Sequence, residues 1–260
     1  MKAGTNNMKI AIITGASSGL GSEYFRALCK SDPDIDEIWL IARRTDRLNA
    51  LAAEFQSVNA LPISFDLSHP ESIDKLTEMF KEKNADIKLL INNAGFGYLG
   101  ELYGQDPQKQ VSSIQVNCCA LTALTTAALP FMHEGSCIIN TCSIAAFAPN
   151  PRMTVYSSTK SYVYFFSRSL RFELKSRGIN VLAVCPGPMN TEFLPNAGIS
   201  KGSSHTFDTL PRCDASDVAA KSLAKAKKGH AVYTPRAFYK LYRVLAKLLP
   251  ASLVMHMSKT

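Results

Sequence analysis

The stretch Ile10-Ala11-Ile12-Ile13-Thr14-Gly15-Ala16-Ser17-Ser18-Gly19-Leu20-Gly21 runs from a short apolar, β-branched segment straight into a segment of helical period. That junction reads as a strand, a tight turn and the first turn of a helix. Glycines let the backbone turn sharply, and the unpaired N–H groups of a helix N-terminus attract an anion. The spacing is Gly-x-x-x-Gly-x-Gly rather than Gly-x-Gly-x-x-Gly, and a Gly/Ser-rich turn holding no ligand is the alternative. Its place directly after a strand favours a pyrophosphate, with Gly15, Ser17, Ser18, Gly19, Leu20 and Gly21 as the candidate cradle.

Outward from this junction the same alternation repeats. Strands are expected at Ile10–Thr14, Glu37–Ala42, Ala60–Phe65, Ile87–Asn92, Cys137–Cys142, Asn180–Cys185 and Ala231–Thr234. Helices are expected at 19–31, 44–57, 70–84, 107–133, 154–177 and 214–228, the last capped by Asp214. No internal repeat interrupts them. Strands written as continuous apolar runs between helices predict an α/β fold: one doubly wound, Rossmann-type domain with a seven-stranded parallel sheet, spanning residues 8–235. Such a sheet binds ligands at the carboxyl ends of its strands.

Those ends are informative. An acid about 20 residues past the glycines would bond the 2′-hydroxyl of NAD, yet this chain has Ile41-Ala42-Arg43-Arg44 there. Two guanidiniums suit a 2′-phosphate, so NADP(H) is the expected cofactor. Reading Arg43 and Arg44 as solvated helix-start residues leaves the missing acid unexplained. Asp66-Leu67 ends the third strand, where a carboxylate could accept from an adenine amino group. Asn92-Asn93-Ala94-Gly95 ends the fourth, where small residues permit close approach. Asp66 as a helix cap and Asn93 as a strand-end lock are compatible with those roles.

Tyr156-Ser157-Ser158-Thr159-Lys160 opens the fifth long helix and puts a phenol and an ammonium on one face at i, i+4. A free tyrosine titrates near ~10, so use as a base at neutral pH asks for roughly three units, about 4 kcal/mol, which one lysine together with the positive charge of a nicotinamide can supply. Ser143 stands just past the fifth strand, and Asn117 is a polar residue in the apolar run Val116–Leu121. A buried amide needs partners, and a water linking Lys160 to solvent is one way to provide them. Taken singly these are a buried Tyr, a capping Ser and a helix-linking Asn; their joint placement points to a reactive site.

With Gly15, Gly19, Gly21, Asn-Asn-Ala-Gly, Asn117, Ser143, Tyr156, Lys160 and Pro186-Gly187 in this order over residues 8–195, the chain resembles the short-chain dehydrogenase/reductase family. The resemblance implies that Tyr156 exchanges a proton with a carbonyl or hydroxyl oxygen while hydride moves to or from a nicotinamide. It also implies that Lys160 lowers the Tyr156 pKa and bonds the ribose, that Ser143 orients the carbonyl, and that Asn117 holds a relay water. In Pro186-Gly187-Pro188-Met189-Asn190-Thr191, Thr191 is placed for the carboxamide, while Met189 stands where the family more often has a β-branched residue.

Residues 186–213 are rich in Pro, Gly and Ser and lack a clear period, which suggests an active-site lid. Met189, Phe193, Leu194 and Phe207, with Phe147, Pro149 and Met153, are expected to line an apolar substrate pocket. A bulky apolar ketone or secondary alcohol, such as a steroid, bile acid or acyl chain, is the expected substrate. The competing function is a non-catalytic NADP-binding sensor or scaffold.

Composition bounds the rest. The 260 residues are 46% apolar and 19% charged, which excludes disorder. No run of about 18 uninterrupted apolar residues exists, and Met1–Asn7 is short and polar, so a cytoplasmic protein is expected, with Met8 as an alternative start. Seven cysteines without a Cys-x-x-Cys pair read as reduced core thiols, and no metal site is expected. The net charge of +8 is uneven: residues 218–260 hold nine of the 29 basic residues and none of the 21 acids, leaving residues 1–217 at −1. Residues 236–260 form a C-terminal amphipathic basic extension. In it Phe238, Leu241, Tyr242, Leu245, Leu248 and Leu249 form one stripe, with Arg236, Lys240, Arg243 and Lys247 opposite, up to Pro250. Packing on the body or on a sister subunit of a homo-oligomer (dimer or tetramer) is the first reading of the stripe, and peripheral contact with an anionic membrane the second. Nucleic acid is not an expected partner.

Overall fold

A computed structural model describes residues 7–31 and 34–257; residues 1–6 and Lys259 of the basic extension lie outside them. The strands are β1 (Met8–Thr14), β2 (Glu37–Ala42), β3 (Ala60–Ser64), β4 (Ala85–Asn92), β5 (Cys137–Thr141), β6 (Asn180–Val184) and β7 (Val232–Tyr233). The longer helices are α1 (Gly19–Lys30), α2 (Thr45–Ala53), α3 (Glu71–Glu82), α4 (Pro107–Ile114), α5 (Leu121–Ala128) and α6 (Thr154–Glu173). Two short helices, α7 (Phe193–Asn196) and α8 (His205–Thr209), precede α9 (Ala215–Lys227), α10 (Ala237–Leu248) and α11 (Ala251–Met257). All seven strands run parallel, in the order β3-β2-β1-β4-β5-β6-β7.

The continuous apolar writing of the strands has a direct cause, since both faces of the sheet are covered. Along β1, Ala11 and Ile13 enter the layer containing Tyr24, Phe25 and Leu28 of α1 and Val218 and Ala219 of α9. Ile10 and Ile12 enter the opposite layer, with Leu76 and Phe80 of α3, Leu124 of α5 and Leu170 of α6. Each full burial of such a side chain contributes roughly 1.5–3 kcal/mol. A short polar chain also crosses the interior: the Asn92 amide donates to Asn140 Oδ1 and to Thr125 Oγ1, both at 2.9 Å, and the Asn140 amide donates to Ser167 Oγ at 2.9 Å.

Three expectations need correction. The helix expected over 107–133 is α4 and α5 joined by a π-helical turn, Gln115–Ala120, and closed by a 3-10 turn at Leu129–Phe131, where Pro130 cannot continue the α-helical bonding. By length and composition residues 107–131 could cross a membrane, yet Thr125 is bonded into the interior and Leu124 is buried in it. The stretch 186–213 carries α7 and α8 and is partly packed, with Ala197 and Ile199 buried beside Met153. Of the cysteines, Cys119 is exposed rather than in the core.

The sheet's winding reverses between β1 and β4, and there the two strand ends are tied together. The Thr14 hydroxyl accepts from the backbone N–H groups of Asn93 and Ala94, both at 3.0 Å, and the Asn93 amide donates to the Thr14 carbonyl at 3.1 Å. Thr14→Val keeps the shape but leaves two amides without their acceptor. A loss of about 1–3 kcal/mol is expected in urea unfolding, with an unchanged m-value; full stability would mean that the hydroxyl is dispensable.

Candidate active site

A cavity of about 840 Å³ opens over the carboxyl ends of the strands at this reversal. The glycine loop forms one end. Gly15 and Gly19 have φ of 67° and 55°, and a Cβ on Gly21 would come within 2.1 Å of the Gly15 carbonyl oxygen. Gly21 therefore lies beneath the loop, while Gly15, Ser17, Ser18, Gly19 and Leu20 face the cavity. Thr191 packs over Gly19.

Next to the loop, Arg44 donates to Ser18 Oγ at 2.8 Å, to Ser17 Oγ at 3.1 Å and to Glu192 Oε2 at 2.8 Å. Arg47 also pairs with Glu192, and the two guanidiniums hold the Glu192 carboxyl down at about 2. Arg43 is exposed, 3.9 Å from Asp66. Burial of Asp66 opposes ionisation, but bonds from the Ser68 amide and hydroxyl, with Arg43 nearby, leave its pKa below the usual value. Leu67, Asn93, Ala94 and Gly95 continue this wall, and Pro186, Gly187 and Met189 form the other.

Tyr156, Lys160 and Ser143 meet at the centre. The residues between β5 and α6 place Ser143 at a strand end, where its Oγ caps the following turn by accepting from Ala145 N at 3.1 Å, and its hydroxyl favours ionisation of the Tyr156 phenol. Lys160 is buried, and its ammonium donates to the Thr141 carbonyl at 2.8 Å. Its Nζ lies 5.7 Å from the centre of the Tyr156 ring. Burial pushes Tyr156 up to about 12, with Ser143 acting the other way, and burial pulls Lys160 down.

Asn117 does not line the cavity. It stands behind Gly95, in the π-helical turn, with its Oδ1 accepting from Phe96 N at 3.0 Å and its amide donating to Phe96 O at 2.8 Å and Thr159 Oγ1 at 3.0 Å. The side chain is thus satisfied by protein partners, so its burial does not call for a water.

The apolar wall includes Met153, Phe193, Leu194 and Phe207 as expected. Phe147 and Pro149 are not part of it; the Phe147 ring packs on Tyr164 and Tyr242 instead. Sequence reasoning missed Glu192, whose partners are 145 or more residues away, and Phe238, Tyr239 and Tyr242 of α10, which also line the cavity. Tyr239 is buried, its hydroxyl donates to the Pro211 carbonyl at 2.6 Å, and a Cβ on Gly187 would come within 2.2 Å of its ring. The Gly187–Tyr239 contact was the available clue, legible only once the fold joins them. Among the described residues no three His, Cys, Asp or Glu gather as a metal site.

A sequence model of the short chain dehydrogenases matches residues 9–201. The chain belongs to that family. A short chain dehydrogenase of Pseudocercospora fijiensis is 32% identical over 205 residues, covering 76% of this chain and 65% of that protein, so the chain spans just under two thirds of that relative. Among solved structures, a short-chain dehydrogenase from Sphingobium yanoikuyae in complex with NADPH has 30% identity and a TM-score of 0.78, covering 93% of this chain and 94% of its own. A bulky-bulky ketone specific alcohol dehydrogenase from Comamonas testosteroni has 27% identity and a TM-score of 0.74, with 93% and 92% covered. As a short chain dehydrogenase the chain is an oxidoreductase, and its α/β sheet is the family's.

The tie between this site and α10 is open to measurement. Gly187→Ala should expel the Tyr239 ring at a cost of about 1–3 kcal/mol and expose α10 to trypsin at Lys240 and Arg243. Unchanged digestion would show that the ring has room to move.

Proposed function

We propose that this protein interconverts a ketone and a secondary alcohol on a bulky apolar substrate, with NADP(H) as the redox partner. The observation that carries the substrate class is the cavity itself: a few convergent polar groups, Tyr156, Ser143 and Lys160, face a wall of Met153, Phe193, Leu194, Phe207 and Phe238. The relative from Comamonas testosteroni, described as specific for bulky-bulky ketones, supports the same reading.

The cofactor is NADP(H). Its site fits the residues present, because the loop approaches so closely that Gly21 admits no Cβ, and Arg44, with Arg43 beside it, stands where a 2′-phosphate needs a partner. When bound, the nicotinamide supplies or accepts the hydride. The residues do the rest. The Tyr156 phenol donates its proton to the carbonyl oxygen in reduction and takes it back in oxidation. Ser143, which lines the cavity with that phenol, orients the same oxygen. Lys160, fixed by Thr141, is the residue that would hold the ribose hydroxyls, and Asn117 keeps the loop at Phe96 in place behind it. A non-catalytic sensor would have no need of these groups in one crevice.

Tyr156→Phe is expected to abolish turnover and to leave NADPH affinity within a few-fold, measured by fluorescence titration and NADPH oxidation with a ketone panel. Full residual activity would remove Tyr156 from the mechanism. A phenol raised towards about 12 is protonated at neutral pH, so kcat/KM for reduction should stay level from about pH 6 to about pH 9, while oxidation, which needs the phenolate, should climb over the same range. A reduction rate falling near neutrality would point to a different acid. Arg44→Ala should cut the NADPH over NADH preference about 10- to 100-fold, the worth of a charge-assisted contact, and Arg43→Ala much less.

A further inference from the structure

Helix α10 covers only part of its apolar stripe against the body. The side turned inward carries Tyr239, Tyr242 and half-buried Arg243, whose guanidinium donates to Thr234 Oγ1 at 3.3 Å. Half of the expected stripe, Tyr242, Leu245 and Leu249, is half-buried, whereas Phe238 is 54% exposed, Leu241 57% and Leu248 73%, and Val244 and, on α11, Leu253 are exposed as well. On a helical wheel Phe238, Leu241, Val244 and Leu248 share one face, with exposed Lys240 and Lys247 along its edge. An apolar face of this kind on an otherwise charged surface marks a contact with something else.

Charge decides what that is. Residues 218–260 hold nine basic groups and no acid. A two-fold contact with a second copy would set like charge against like, and four side chains on one helix fall far short of the roughly 20–30 residues that each partner gives a stable interface. A surface that is anionic at its face and apolar just below matches both features together. Phe238 adds the link to the site, because it lines the cavity and is also exposed, and so stands at the rim.

We propose that α10 and α11 lie on an anionic lipid surface, with Phe238, Leu241, Val244, Leu248 and Leu253 in the acyl boundary and Lys240 and Lys247 at the headgroups, and that the cavity draws its substrate from that surface. The second half of this statement rests on the ketone and alcohol reading of the cavity; the first does not.

The test uses the full chain, vesicles of phosphatidylcholine alone or with an equal part of phosphatidylglycerol, and two ketones, one long-chain and vesicle-borne and one short and soluble. The protein should sediment with the anionic vesicles and not with the neutral ones, and less so as salt rises. Leu241→Gln with Leu248→Gln should weaken sedimentation about tenfold or more, lower reduction of the vesicle-borne ketone in parallel, and leave the soluble ketone and the solution mass unchanged. Lys240→Glu with Lys247→Glu should abolish the preference for anionic vesicles. Absence of vesicle binding, a smaller solution mass in the leucine variant, or equal loss on both ketones would overturn the proposal. Sedimentation needs no turnover, so it decides the docking separately: a protein that sediments as stated but reduces neither ketone keeps its lipid surface and loses the ketone reading.

Discussion

The structure depends on the seam where β1 and β4 meet. A parallel sheet that reverses its winding must separate the two connections leaving that point, and a crevice opens between them. Here the crevice is held to a fixed width by the Thr14 hydroxyl and the Asn93 amide, which join the two strand ends through both backbones. The glycine loop hangs from one side of the seam and Ala94-Gly95 from the other. The same Asn93 accepts from Thr141 Oγ1 at 3.3 Å, and the Thr141 carbonyl holds Lys160. One line of bonds thus runs from the loop to the reactive lysine, and a shift in the seam would be felt at the ammonium.

Much of this was legible in the sequence, for reasons that are local. The second strand is legible at its exact bounds, Glu37–Ala42, because a strand buried on both faces is written as a nearly continuous apolar run, here Ile38 to Ala42. The loop at Gly15–Gly21 was legible because left-handed backbone and close approach both demand glycine. Tyr156 and Lys160 were legible because one helix sets their spacing.

What was not legible depends on distance in the chain or on competition between forces. The i, i+4 spacing puts an ammonium near the Tyr156 phenol, but how deeply the phenol is enclosed is set by the whole fold, and it is burial, only partly offset by Ser143, that raises its pKa. The break at Gln115–Ala120 was invisible because a π-turn uses ordinary helix-forming residues. The position of Phe147 between Ser143 and Tyr156 in sequence points to the pocket, whereas the fold packs its ring on Tyr164 and Tyr242. How much of the α10 stripe is covered is hidden from the sequence for a related reason. Periodicity shows that a helix has two faces, but the anchoring of Tyr239 against Gly187, about fifty positions earlier in the chain, decides which one is turned inward.

Glu192 gives the adenosine end of the crevice a property of its own. Arg44 and Arg47 share this one carboxylate as an internal counter-ion, so the basic patch is already partly neutralised by the protein. An incoming phosphate there takes part in an exchange of one anion for another rather than in the neutralisation of bare cations. Fewer loosely held ions are released than two guanidiniums would suggest, and the discrimination at this end depends on the fit of hydrogen bonds to Arg44, Ser17 and Ser18 more than on the ionic strength around them.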